Sequence, residues 1–157
     1  MPEALSAGAQ RVQDALAALG CDGRLLVLPR PARTAAEAAA AVGCEVGQIV
    51  KSLVFSLGGR PLLVLTSGAN RVDEGAVAKV AGGALEKADA EFVRAHTGFA
   101  IGGVAPVGHR SAIATLIDED LMTWPQVWAA GGHPNTVFSV APQELARITA
   151  GRIVRVT

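Results

Sequence analysis

Apolar positions along the chain follow two periods. IVKSLVFSL, from Ile49, and PLLVLTSG, from Pro61, are almost continuously apolar and flank a GGR triplet. This pattern predicts two buried strands joined at Gly58 and Gly59 as a β-hairpin. LLVL, from Leu25 to Leu28, predicts a further strand ended by Pro29 and Pro31. ATLIDEDLM and TVFSVAP predict two more, and IVRVT closes the chain as an alternating strand. A helical period begins at about Ala4 and runs to Leu19. There Val12, Leu16 and Leu19 share a face, Ala15 lies beside them and Gly20 stops the helix. Thr34 followed by Glu37 predicts a capping box for an alanine-rich helix that reaches Val42 and ends at Gly43. Asp73 opens a short helix that stops at Gly82, and Asp89 caps another over AEFVRAH. Pro142 takes the first turn of a last helix, QELARIT, before Gly151.

This order of elements predicts an α+β fold: one mixed sheet wrapped by helices, in a single domain spanning residues 1–157. The strands and helices do not alternate regularly, so a doubly wound dinucleotide-binding sheet is not expected. No internal repeat or linker interrupts the pattern.

Composition narrows the function classes. The 157 residues are half hydrophobic and carry a formal net charge of zero. A neutral chain is a poor match for a protein that grips long nucleic acid such as DNA through clustered Lys and Arg. It leaves open a protein that holds only the end of one strand. Cys21 and Cys44 form no spaced cluster and read as two free thiols. The N-terminal stretch lacks a basic segment followed by an apolar run, and no apolar stretch approaches a membrane span. A soluble cytoplasmic protein is expected.

Three places carry candidate chemistry. The first is HTGFAIGGVAPVGHR, where Gly98, Gly102, Gly103 and Gly108 stand close together with Pro106 before the last. Adjacent glycines allow positive φ and close approach, and such a turn can aim peptide N–H groups at a carbonyl or an anion. The spacing is neither the dinucleotide fingerprint nor a P-loop. A tight corner that needs glycine only for shape is the competing reading. The second is Lys51, one of three lysines against eleven arginines, set inside an apolar strand. It either lines a cleft and holds an anion, or guards an edge strand, or extends to water. The third is His133, which follows a glycine pair and precedes Pro134 and Asn135. It can orient a substrate, shuttle a proton, or simply occupy a turn. The three histidines lack metal-ligand spacing, so neither a metal nor another cofactor is expected. No GxSxG elbow is present, and Asp118, Glu119 and Asp120 read as a solvated turn.

Taken in order, IVKSLVF, TGFAIGGVAPVG and GGHPNTVFSVAPQEL resemble the YbaK/EbsC family, which includes the editing domain inserted in bacterial prolyl-tRNA synthetases and its free-standing relatives. The resemblance runs from the first helix to the last strand. It implies a curved, barrel-like mixed sheet surrounded by helices. It also implies hydrolysis of the ester between a wrong amino acid and the 3′-terminal (CCA) adenosine of a tRNA, typically tRNA for proline. A prolyl-tRNA synthetase is a further partner that it allows. By this resemblance Lys51 orients the tRNA end, and Gly102, Gly103, Pro106 and Gly108 belong to the loop that positions the aminoacyl group. His133 matches a histidine of the alanine-editing branch, with Asn135 close behind. Ala105 stands where the thiol-editing branch tends to have serine, and Ser52 where alanine-editing relatives tend to have asparagine. A small wrong amino acid is therefore expected: alanine-like, with cysteine, serine, threonine and 2-aminobutyrate also open. The rival expectations are a non-catalytic tRNA- or synthetase-binding module of the same fold, and a hydrolase of simple esters.

Overall fold

A computed structural model describes residues 5–157, which form five helices and eight strands. The expected first helix is α1 (Ala7–Ala18); Ser6 caps it by accepting from the Ala9 N–H at 3.1 Å. The predicted start at Ala4 lies outside the described residues. Ala9, Val12 and Leu16 are fully buried, whereas Leu19 sits at the C-cap and is exposed. β1 (Leu25–Val27) and α2 (Ala35–Val42) follow as expected. Only half of the predicted capping box forms at α2. Thr34 Oγ1 accepts from the Glu37 N–H at 3.0 Å, but the Glu37 carboxylate accepts from Arg33 N–H rather than from Thr34.

β2 (Val50–Leu57) and β3 (Arg60–Ser67) make the hairpin, in antiparallel register from Val50 against Ser67 to Leu57 against Arg60. Its two-residue turn needs positive φ at both positions, and Gly58 (60°) and Gly59 (86°) supply it. α3 (Glu74–Ala81) and α4 (Ala90–Thr97) start at Asp73 and Asp89, each accepting from the N–H three residues on. Between them lies β4 (Leu85–Lys87), which the sequence pattern did not predict. β5 (Ala114–Asp118) covers only half of ATLIDEDLM, because Glu119–Thr123 turns into a 3-10 helix. The unpredicted β6 (Val127–Ala130), the expected β7 (Thr136–Val140) and α5 (Pro142–Thr149) come next. β8 (Arg152–Val154) covers only part of the last predicted strand; Val156, beyond it, is buried, and its carbonyl accepts from the Asp73 N–H at 2.7 Å.

The class is α+β, as expected, but the strands form two sheets. One has the order β4-β2-β3-β5-β8, with β5 parallel to both β3 and β8. The other is the antiparallel trio β1-β7-β6. They meet at a single parallel bridge between Ile49 and Trp128 and do not close into a barrel. The main core includes Leu63, Leu65 and Ile117 of the larger sheet, Val127 and Phe138 of the smaller, and side chains of α1, α4 and α5. A second cluster (Phe55, Val64, Val77, Leu116) packs α3 against the other face of the larger sheet. Both cysteines are free thiols. No described helix is long and apolar enough to cross a membrane.

Candidate active site

A cleft of about 690 Å³ opens where the two sheets meet. Its walls come from α2, the start of β2, the loop at Ile101 and Gly102, β6, and the turn at His133 and Pro134. Most of the lining is small and apolar, including Ala35, Ala38, Val104 and Ala129. A smaller recess of about 230 Å³ lies beside it and shares Ser52, Leu53, Ile101, Gly102 and Val104. The tip of the glycine loop therefore stands between the two spaces. Ile101, at that tip, is 58% exposed, the highest value among the exposed large hydrophobic side chains.

Lys51 lines this cleft from β2. Among the described residues Lys51 pairs only with Thr66 of β3, because β4 reaches β2 at Phe55–Leu57 alone, so the lysine sits at a locally open edge of the sheet as well as in the cleft wall. Its ammonium donates to the Asn70 carbonyl at 2.6 Å. The Asn70 side-chain amide donates in turn to Asp118 Oδ2 at 2.8 Å and Asp120 Oδ2 at 2.7 Å. Asp118 also accepts from the Ser67 and Asp120 N–H groups at 3.0 and 2.9 Å. Asp118 is thus not part of a solvated turn: only 1% of it is exposed, and it ties the end of β5 to the end of β3. Burial pushes the Lys51 ammonium below its usual 10.5, Arg71 adds to this, and Asp118 opposes it. Asn70 and Asp118 carried no chemical signal in the sequence, because their partners lie far along the chain. Ser52 lines both spaces, and its buried hydroxyl has no hydrogen-bond partner among the described residues.

The glycine loop has no strand pairing. Gly102 takes a φ of 92° at its exposed tip. Gly103 N–H is already committed to the Ala100 carbonyl at 3.0 Å, so of the adjacent pair only Gly102 keeps an uncommitted N–H among the described residues. Gly103 is needed for a different reason: a Cβ there would lie 3.1 Å from His133 Cα, so the two loops touch backbone to backbone. Ala105 and Pro106 are buried behind the loop and line neither space. The Ala105 carbonyl is 2.7 Å from His109 Nε2, so the neutral His109 ring carries its proton there. Burial, with a smaller contribution from Arg11, pushes the His109 pKa below its usual 6.5 against that hydrogen bond. Gly108 (φ 81°) lies at the base of the loop, also outside the cleft.

His133 lines the cleft. Its Nδ1 accepts from the Asn135 N–H at 3.2 Å, so the neutral ring carries its proton on Nε2 and offers a donor there. Asn135 does not reach the cleft. Its side chain accepts from Thr136 Oγ1 at 3.0 Å, and its carbonyl accepts from Leu28 N–H at 2.6 Å. The structure thus brings Lys51, Ser52, Gly102 and His133 to one cavity. Gly103, Ala105, Pro106, Gly108 and Asn135 shape its walls from behind. No cluster of three or more potential metal ligands occurs among the described residues.

Comparison with known proteins places this chain in a family. Residues 29–148 match the family model for the aminoacyl-tRNA editing domain, and the chain belongs to that family. A solved structure described as a candidate trans-editing enzyme for prolyl-tRNA synthetase superimposes with a TM-score of 0.94. It is 48% identical in sequence, over 98% of this chain and 99% of its own. EbsC of Enterococcus faecalis, named as a candidate Cys-tRNA(Pro)/Cys-tRNA(Cys) deacylase, is 25% identical over 79% of this chain and 77% of its own. YwhH of Bacillus subtilis, uncharacterized, is 26% identical over 76% of this chain and 77% of its own.

Proposed function

We propose that the chain removes a small wrong amino acid, alanine-like in size, from tRNA for proline by hydrolysing the ester to the 3′-terminal adenosine. The observation that carries this reading is the convergence of Lys51, Gly102 and His133, from three separate elements, on one cleft with small apolar walls. Membership in the aminoacyl-tRNA editing family supports the reaction class. The prolyl-tRNA synthetase connection of the 48%-identical structure supports the choice of tRNA.

The residues suggest a division of labour. Lys51 is a cation at a mostly apolar wall and is suited to a phosphate or ribose oxygen of the tRNA end. The Gly102 N–H is suited to the carbonyl oxygen of the ester, which becomes an oxyanion when water attacks; one such donor is worth about 3 kcal/mol. His133 acts through its Nε2–H as a donor that orients the substrate, since its other nitrogen is occupied by Asn135. The Ser52 hydroxyl, buried without a partner, gains one from the substrate. Water adds to the carbonyl carbon, the tetrahedral oxyanion collapses, and the bond to the ribose oxygen breaks. That oxygen takes the proton which water gives up, and the free amino acid leaves. Among the described residues no carboxylate lines the cleft, and the open nitrogen of neutral His133 is a donor, so catalysis rests on positioning, with a ribose hydroxyl helping the water. Selection for a small side chain has to come from excluding larger ones, because one missing methylene changes binding by only about 1–3 kcal/mol.

The test is deacylation of tRNA for proline charged in turn with proline, alanine, cysteine, serine and 2-aminobutyrate, with Lys51→Ala beside the wild type. Selective loss of one small wrong amino acid is expected, abolished in Lys51→Ala while the variant stays folded by circular dichroism. No turnover on any member of the panel, or full turnover in the variant, overturns the reading.

A further inference from the structure

We infer that Arg11, on α1 and outside the cleft, is the positioning residue that keeps Gly102 and His133 in fixed relation to each other. This rests on the deacylase reading of the cleft. The Arg11 guanidinium donates to three backbone carbonyls on both limbs of the glycine loop. Its Nη1 bonds Gly98 O at 3.3 Å, and its Nη2 bonds Thr97 O at 3.3 Å and Gly108 O at 2.6 Å. The outgoing limb is the C-terminus of α4, where carbonyls lack helical partners and attract a cation. The incoming limb is Gly108, ten residues later. Arg11 thus closes the loop at its neck, beside the single backbone bond there, Arg110 N–H to Thr97 O at 3.3 Å.

The loop's own residues are shaped around this side chain. A Cβ at Gly98 would overlap the guanidinium, lying 2.8 Å from Nη2. The buried Phe99 ring lies under it, 4.9 Å from Cζ to the centroid. Arg11 forms no ion pair with a carboxylate among the described residues, where the single ion pair is Arg147 with Glu144. All three of its hydrogen bonds among the described residues go to the loop, and hydrogen bonds from a charged donor are roughly twice as strong as neutral ones.

The same helix holds the other loop. Gly8, one turn before Arg11, abuts Gly132, the neighbour of His133. A Cβ on Gly132 would lie 2.6 Å from the Gly8 carbonyl carbon and 2.9 Å from Val12 Cγ2. Gly103 then closes the triangle against the His133 backbone. α1 touches both loops and the loops touch each other, although Arg11 does not line the cleft.

The experiment compares wild type, Arg11→Ala and Arg11→Lys on the aminoacyl-tRNA that the panel selects, and follows amide hydrogen exchange in the free protein. In Arg11→Ala, kcat falls roughly 100-fold, as for a misplacement of about 1 Å, while KM stays within about twofold. Guanidinium ion, added well below denaturing concentrations, restores part of kcat. Arg11→Lys remains impaired because an ammonium cannot span three carbonyls as a planar fork does. Exchange quickens at residues 98–108 and 131–135 and is unchanged in the β2–β3 hairpin. If Arg11→Ala does not fold, Arg11→Lys decides by the same kcat and exchange criteria. A kcat that falls only with the folded fraction, with no guanidinium rescue, overturns the inference, as does uniform or unchanged exchange. Exchange needs no substrate. A wild type without turnover but with the local exchange change in the variant therefore fails the deacylase reading and keeps Arg11 as the clamp between the loops.

Discussion

β2 presents Lys51 through eight paired positions with β3, whereas the loop at residues 98–108 presents Gly102 with no strand partner. The strand's position follows from register. Shifting it by one residue would turn every side chain to the opposite face, and the two-residue turn at Gly58 and Gly59 sets the register against such a slip. What register does not set is the end of the long lysine side chain. That is set by Asn70, held in turn by the buried Asp118. The loop depends on contacts made across the chain: Arg11 at its neck, Phe99 and His109 packed edge to face beneath it at 6.2 Å, and Gly103 against His133. A regular ladder tolerates small losses. A loop held by a few close contacts fails when one of them is lost.

Three changes test that contrast. The largest effect is expected from Gly132→Ala. The position needs a φ of 92°, and the new methyl group would meet the α1 backbone. A loss of at least roughly 3 kcal/mol follows from strain and overlap together, read from the urea unfolding midpoint. An unchanged midpoint would show that α1 yields, and that the loops are less tightly held than the strand. Next is Asp118→Ala, which leaves the Ser67 N–H without its acceptor and Asn70 without one of its two. About 2–3 kcal/mol of stability should be lost, because a buried donor without a partner is costly. Deacylation should fall further than stability, since Lys51 loses its anchor. Full turnover at reduced stability would mean that register alone places Lys51.

The smallest effect belongs to His109, under the loop. Its folded pKa lies below the usual 6.5, chiefly through burial. The unfolded chain then binds a proton more readily than the folded one. The stability due to the neutral ring is fully present above pH 6.5 and is lost as pH falls through the lower folded value. Urea midpoints measured from about pH 7 down to about pH 5 should decline, and His109→Gln should flatten the decline. An equal decline in the variant would assign it to other groups.

Local needs of the backbone leave clear signals in the sequence. Gly58 and Gly59 announce the hairpin turn because few other residues take positive φ twice in succession. Asp73, Asp89 and Pro142 mark helix starts, since each meets the need of a first turn. Lys51 stood out because a charge inside an apolar strand needs a reason, and His133 because of the turn around it. The sequence did not show β4 and β6, which are three and four residues long and are strands only because β2 and β7 lie beside them. It also misjudged Asp118: an acidic triplet looks solvated until the end of β3 arrives to donate to it.

The turn at Gly58 and Gly59 and the helix caps, Gly98 among them, were determined by the sequence itself, because each depends on neighbours a few residues away. Tertiary structure alone decided that Gly103 serves its contact with His133, that Ala105 and Asn135 stand behind the cleft, and that Arg11 reaches the loop. Those facts join residues up to 97 positions apart. Such contacts depend on where the chain brings two distant backbones together, which no local period in the sequence encodes.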